Sequence, residues 1–112
     1  MSAVADLHNA VKHGDVARVK ELLEGDRRLT NARSESDARG TYPLHVAAEF
    51  DQAAAAKVLL EYGADVSLMV LENDAIALGW AAFFGRPRVV KILLDASSDP
   101  SQRNKNGLTP LG

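Results

Sequence analysis

The chain has 112 residues, of which 46% are hydrophobic and 25% are charged, so we expect one modest globular domain and not a disordered segment. A formal net charge of −2 argues against a nucleic-acid-binding surface, and the absence of cysteine excludes a disulfide framework and a thiolate metal site. The sequence has neither a signal-peptide pattern nor an apolar stretch approaching about 18 residues, which favours a cytoplasmic protein without membrane contact.

Two sets of leucines recur with the same period, which indicates an internal repeat. The first set is Leu7, Leu44, Leu78 and Leu111, and its members follow one another at intervals of roughly 35 residues. The second set is formed by the pairs Leu22-Leu23, Leu59-Leu60 and Leu93-Leu94, which recur at the same intervals as the first set. A repeat of this length is typical of solenoids, in which each unit buries its apolar face against the next.

The first unit predicts two short helices. Apolar residues from Val4 to Val11 fall on one helical face, and Gly14 and Asp15 then interrupt the pattern. Asp15 is a suitable cap for a second helix, which we expect to stop before Gly25 in a left-handed end conformation.

The next two units repeat this arrangement. Pro43 is expected in the first turn of a helix that runs to Asp51, and the following helix ends at Gly63. In the third unit the first helix ends at Gly85 and Pro87 opens the second.

Two connections join the units. Residues 26–39 are polar, and we interpret them as an extended, mobile hairpin-like loop. The second connection contains the apolar run from Val66 to Leu71, for which strand-like packing against neighbouring loops is the simplest interpretation.

Three segments resemble the ankyrin repeat: YPLHVAAEF at 42–50, VLLEYGADV at 58–66 and, in part, GLTPL at 107–111. The resemblance implies an all-α, helix-turn-helix solenoid of about three helix pairs with short hairpin-like loops, ending at the start of a fourth repeat. The single domain would comprise a divergent first repeat (1–36), repeats two (37–70) and three (71–103), and an incomplete fourth (104–112).

The chain departs from the family pattern at the turn before the first helices. Tyr42 and Ile76 replace the threonine whose hydroxyl pairs with the motif histidine in the family, so His45 needs another partner. We expect His45 to be structural. Trp80 occupies a position that the family fills with a buried aliphatic residue, so we expect Trp80 to pack in the core.

No motif for catalysis or cofactor binding is present. The sequence lacks phosphate-binding loops, a nucleophile motif and a zinc-binding helix, and His8 and His13 do not share a helical face. We therefore expect no enzyme activity, no cofactor and no metal.

The resemblance implies a partner-binding strip on the concave side, formed by loop tips and by the residues that follow the paired alanines of each first helix. Lys12 and His13 hold these helix positions in the first unit. The strip residues of the later units are Arg39, Thr41, Glu49, Phe50, Glu72, Asn73, Phe83, Phe84, Lys105 and Asn106.

All three phenylalanines of the chain fall on this strip, at Phe50, Phe83 and Phe84. They either provide interface hot spots or fold back onto the stack. Residues 40–85 carry one lysine and six acidic residues, whereas residues 86–112 carry five basic and two acidic residues. This asymmetry favours a partner with an apolar or aromatic anchor and basic flanks.

The leading hypothesis is a non-catalytic module that binds an unidentified protein partner. The alternative is a structural unit that self-associates through an uncapped C-terminal face, giving a homo-oligomer. The end at Gly112 is also compatible with a fragment of a longer array or with a tolerated short end.

Overall fold

The computed structural model describes residues 3–34, 39–70 and 75–97. Those ranges form six α-helices, one 3₁₀ helix and no strand, so the predicted all-α fold is confirmed. The helices are α1 (Ala3–Lys12), α2 (Val16–Gly25), α3 (Pro43–Glu49), α4 (Ala53–Glu61), α5 (Ala77–Phe83) and α6 (Pro87–Ser97), with the 3₁₀ helix at Arg27–Asn31. The expected start of a fourth repeat at 104–112 lies outside the described residues.

Local sequence explains where the helices begin. Pro43 and Pro87 are the first residues of α3 and α6, where a missing N–H costs no helical hydrogen bond. The Asp15 carboxylate accepts a hydrogen bond from the backbone N–H of Arg18 at 3.2 Å and so caps α2, as expected. Gly25 differs from expectation, because it belongs to α2 and has no positive φ.

The turn inside each helix pair contains, at the same position, one residue with a left-handed backbone conformation. Gly14, Asp51 and Gly85 hold equivalent positions in the three units, and their φ angles are +71°, +57° and +69°. Asp51 is the one non-glycine residue with positive φ in the described ranges. The turn geometry is therefore set by the repeat, and Asp51 adopts it despite its side chain.

The helices stack in two layers. The first helices, α1, α3 and α5, contact one another in sequence, and so do the second helices, α2, α4 and α6. The recurring leucines mark the core between the layers: Leu7, Leu23, Leu59 and Leu93 have no exposed surface. Ala47 and Ala81 are also fully buried, and their small side chains allow adjacent first helices to approach closely.

A histidine in each of the first two units bonds to the loop that follows. His8 Nε2 donates to the carbonyl of Ala32 at 3.0 Å, and His45 Nε2 donates to the carbonyl of Ala75 at 2.9 Å. His8 and His45 hold equivalent positions in consecutive units. His45 therefore has a backbone carbonyl as the partner of its Nε2, while its buried Nδ1 has no hydrogen-bond partner among the described residues.

A second recurring bond joins consecutive units at the ends of the first helices. Gln52 Nε2 donates to the carbonyl of Lys12 at 2.9 Å, and one repeat later Arg86 Nη2 donates to the carbonyl of Glu49 at 2.9 Å. Carbonyls at a helix C-terminus lack intrahelical partners. Each unit thus satisfies a helix end of the unit before it.

The first connection differs from the expected extended, mobile loop. Its first half forms the 3₁₀ helix. Asp26 caps this helix, because its carboxylate accepts a hydrogen bond from the backbone N–H of Arg28 at 3.0 Å. Leu29 and Thr30 are buried, at 7% and 1% exposure, because this helix packs against α1, α2 and α3. Burial of these two side chains anchors the first half of the connection on the stack, although most of its residues are polar.

The ends of both connections are closed by a backbone hydrogen bond. Ser34 N–H donates to Thr41 O at 2.7 Å, and Val70 N–H donates to Ala75 O at 3.0 Å. Val70 is buried, whereas Met69 beside it is 50% exposed. The apolar run of the second connection therefore contributes one core residue and leaves another in solvent.

Candidate functional site

Six of the ten predicted strip residues lie in the described ranges. They are Arg39, Thr41, Glu49, Phe50, Phe83 and Phe84. The other four, Glu72, Asn73, Lys105 and Asn106, lie outside those ranges.

The three phenylalanines differ in their environment. Phe83 is 83% exposed at the end of α5, and Phe50 is 39% exposed at the C-cap of α3. Phe84 is half-buried: its ring lies 5.7 Å from that of Trp80 and 5.2 Å from that of Phe83, in edge-to-face geometry. Phe84 therefore folds back onto the stack, whereas the Phe83 ring beside it stays exposed. A role of these rings as interface hot spots stays a prediction.

Trp80 is buried at 6% exposure, which confirms the expected packing role. The Arg39 guanidinium carbon lies 4.9 Å from the centroid of the Trp80 ring. The same guanidinium donates to both carboxylate oxygens of Glu49, at 3.1 and 3.4 Å. Arg39 and Glu49 therefore form a fork-like pair over the indole, which offsets the charge of Glu49 on the strip.

Thr41 is only 1% exposed, and its predicted role as an exposed contact of the strip is wrong. Its carbonyl accepts the hydrogen bond from Ser34 that closes the loop. Thr41 therefore lies at the base of the loop, where the chain returns to the stack, and not at the tip.

Two further cations lie over aromatic rings, one at each end of α3. Lys12 Nζ is 5.1 Å from the centroid of the Phe50 ring, and the Arg33 guanidinium carbon is 4.9 Å from that of Tyr42. Arg33 also donates to the Tyr42 hydroxyl at 2.7 Å. The repeat register pointed to Lys12 as a strip position, but no sequence signal identified Arg33, because this pairing depends on the fold of the loop.

His45 links the strip to the core. It is 1% exposed, between the rings of Tyr42 and Trp80, at 5.8 and 5.2 Å between centroids. Burial lowers the pKa of His45 below its ordinary value near 6.5, and the hydrogen bond to Ala75 opposes this shift only in part. A neutral His45 that carries its proton on Nε2 fits the bond to a carbonyl oxygen.

The described residues contain no group of three or more histidine or acidic residues placed to hold a metal ion. Within the same ranges, no helix has the length and apolar character needed to cross a membrane. What the strip offers chemically is exposed aromatic surface bordered by cations.

Comparison with known proteins identifies the class to which this fold belongs. A family model of ankyrin repeats, built of three copies, matches residues 7–104. The chain belongs to the ankyrin repeat family. Ankyrin repeats are generally protein-protein interaction modules.

Several proteins that contain such repeats are similar to this chain. It is 32% identical to the ankyrin repeat and SAM domain-containing protein 6 of Rattus norvegicus over 104 residues. This aligned segment is 93% of this chain and 11% of that protein. Inversin of Gallus gallus is 31% identical over 110 residues, which are 98% of this chain and 10% of inversin. Palmitoyltransferase Hip14 of Drosophila melanogaster is 32% identical over 102 residues, which are 91% of this chain and 15% of that protein. The chain thus spans between 10% and 15% of the length of these relatives.

Proposed function

We propose that this chain is a non-catalytic module that binds a protein partner on the side formed by its first helices and loops. The observation that carries this proposal is the position of Phe83, whose ring is 83% exposed yet held by an edge-to-face contact with Phe84. A phenylalanine side chain has only two rotatable bonds, so it loses little conformational entropy when a partner covers it. Such residues dominate the binding energy of protein interfaces.

The partner we expect carries an apolar or aromatic anchor for the Phe83 and Phe50 rings. Basic flanks on the partner follow from the net charge of residues 40–85. Glu49 contributes little to this attraction because Arg39 already pairs with it. The cytoplasmic location and the repeat boundaries stay predictions.

The experiment begins with affinity capture of the partner from host lysate, followed by calorimetry with the purified partner. We expect Phe83→Ala to weaken binding by about 2 kcal/mol or more, which is roughly 30-fold in Kd. Leu94→Ala is the matched control, because Leu94 is 48% exposed but lies on α6, in the other layer. Full affinity in the Phe83 variant, with loss in the Leu94 variant, would contradict the proposed binding side.

A second candidate function is self-association through the C-terminal face. Ala82 is exposed, although Ala48, its equivalent one repeat earlier, is fully buried. Leu94 is likewise more exposed than its half-buried equivalent, Leu60. Light scattering over a concentration series tests this alternative: a mass that stays at 12.0 kDa contradicts it, and a rise abolished by Leu94→Asp supports it.

A further inference from the structure

A groove of about 510 Å³ runs between α4 and α6, in the layer of second helices. It is separate from the strip, which is formed by the first helices and the loops. Methyl and aliphatic groups of Ala53, Ala54 and Ile92 contribute the apolar part of its lining. Charged side chains complete the lining: Lys57 from α4, and Arg88, Lys91 and Asp95 from α6.

The repeat register places the cations together. Lys57 and Lys91 hold equivalent positions in consecutive units, so they lie side by side on adjacent helices, and both line the groove. Helices that pack in this way have axes roughly 8–10 Å apart. Arg88 lies one turn before Lys91 on the same helix, and Asp95 lies one turn after it, so three of the four charged residues of the lining are cations.

None of the three cations makes an ion pair or side-chain hydrogen bond in the part of the chain that the structure describes. All three are exposed. Other cations of the fold are engaged: Arg39 pairs with Glu49, Arg28 with Asp26, and Arg86 donates to a backbone carbonyl. The groove therefore carries excess positive charge that the fold itself does not use.

We propose that the α4–α6 groove binds an extended acidic peptide segment of a partner, with an aliphatic side chain seated between its carboxylates. Charge complementarity with Lys57, Arg88 and Lys91 selects the acidic residues, and the alanine and isoleucine lining accepts the aliphatic one. In an extended strand, residues two apart point to the same side at about 6.7 Å, so an aliphatic side chain can lie in the groove with an acidic side chain on either side of it. A nucleic acid fits less well, because the methyl groups of the lining offer no hydrogen-bonding group to a base edge, and only the three cations could contact its phosphates.

The test uses fluorescence anisotropy with a labelled eight-residue peptide of sequence EELEELEE. The proposal requires this peptide to bind the folded chain and to bind at least tenfold more tightly than QQLQQLQQ, which has the same shape without charge. The triple variant Lys57→Gln/Arg88→Gln/Lys91→Gln should bind the acidic peptide at least tenfold more weakly. Ala54→Leu, which fills the lining and keeps the charge, should also weaken binding severalfold.

The matched control removes three exposed cations of the first unit that do not line the groove, Arg18→Gln/Arg27→Gln/Arg28→Gln, and so changes the net charge equally. This control should lose less than twofold. Equal losses in the two triple variants would show nonspecific charge attraction and overturn the proposal, as would equal binding of the two peptides or no binding of the acidic one. Tighter binding of a ten-nucleotide DNA at the same groove would also overturn it, in favour of a nucleic acid.

This site is independent of the strip. Phe83→Ala should leave the affinity for the acidic peptide unchanged, while the triple groove variant should leave binding of a strip partner unchanged. The failure of one proposal is therefore distinguishable from the failure of the other.

Discussion

Replacement of Ala48 by leucine tests the stacking of units directly, because the chain offers a matched position. Ala48 on α3 is fully buried in a stack where α3 contacts both α1 and α5. Ala82 on α5 is its equivalent one repeat later and is exposed. The same substitution therefore adds the same three carbon atoms to a filled interface in one case and to open surface in the other.

Overpacking of a well-filled core costs about 1–3 kcal/mol, whereas exposed substitutions usually stay within about 0.5 kcal/mol. We expect Ala48→Leu to lower the free energy of unfolding by about 2 kcal/mol and Ala82→Leu to leave it almost unchanged. Both changes alter helix propensity alike, so the difference between the variants reports packing.

Urea unfolding followed by circular dichroism measures both variants against the parent chain. With a slope of about 1–3 kcal/mol per molar urea, a loss of about 2 kcal/mol moves the midpoint down by roughly 1 M. An unchanged midpoint for Ala48→Leu, or equal losses at the two positions, would refute the idea that the α3–α5 contact is close-packed at Ala48 and open beyond α5.

Two further predictions concern single residues. Because burial lowers the pKa of His45 in the folded chain, the unfolded chain takes up its proton first; stability present above about pH 6.5 should be lost as the pH falls below that value. Urea unfolding at pH 7.5 and at about pH 5.5 measures this loss of unfolding free energy. It should be smaller in His45→Gln, which can still donate to the Ala75 carbonyl, than in the parent chain. An equal loss in the two chains would contradict a buried, neutral His45. Asp51→Gly should raise the unfolding free energy by about 0.5–1 kcal/mol, since Asp51 holds a φ of +57° that its equivalents Gly14 and Gly85 adopt without strain; thermal melting would contradict this with a lower Tm.

The local features of the fold can be predicted from sequence because their causes are local. A proline in a first helical turn, an aspartate before α2 and a repeated leucine pair act through neighbours within a few residues. Pro43, Pro87 and Asp15 hold the positions expected of them. Gly25 is the exception, because α2 continues through it without a left-handed turn.

The first connection departs from its prediction because its order comes from other elements. Its composition is polar, but Leu29 finds an apolar site where α1, α2 and α3 meet. The available signal is weak: Asp26 precedes a possible helical turn, and Leu29 is the single large apolar residue in that turn. Only the packed neighbours make burial of Leu29 favourable.

The candidate strip can be predicted in outline but not in its chemistry. The repeat register locates Phe50, Phe83 and Phe84, yet gives the three rings one environment, whereas the structure separates an exposed Phe83 from a half-buried Phe84. The burial of Thr41 escapes prediction because the register does not show where a loop turns back. The charge pattern likewise does not reveal that Arg39 takes the carboxylate of Glu49.

The sequence by itself determined the repeat period, the all-α class of the fold and the leucines of the core. Each of these follows from the spacing of apolar residues that places them on one face of a helix. The tertiary structure alone decided which surface residues remain free. Arg39 is a half-buried cation and Lys57 an exposed one. The fold brings Glu49 to Arg39, whereas it brings a second cation, Lys91, to the groove that Lys57 lines. Such differences depend on distances between units, because side chains far apart in sequence meet only after the helices have stacked.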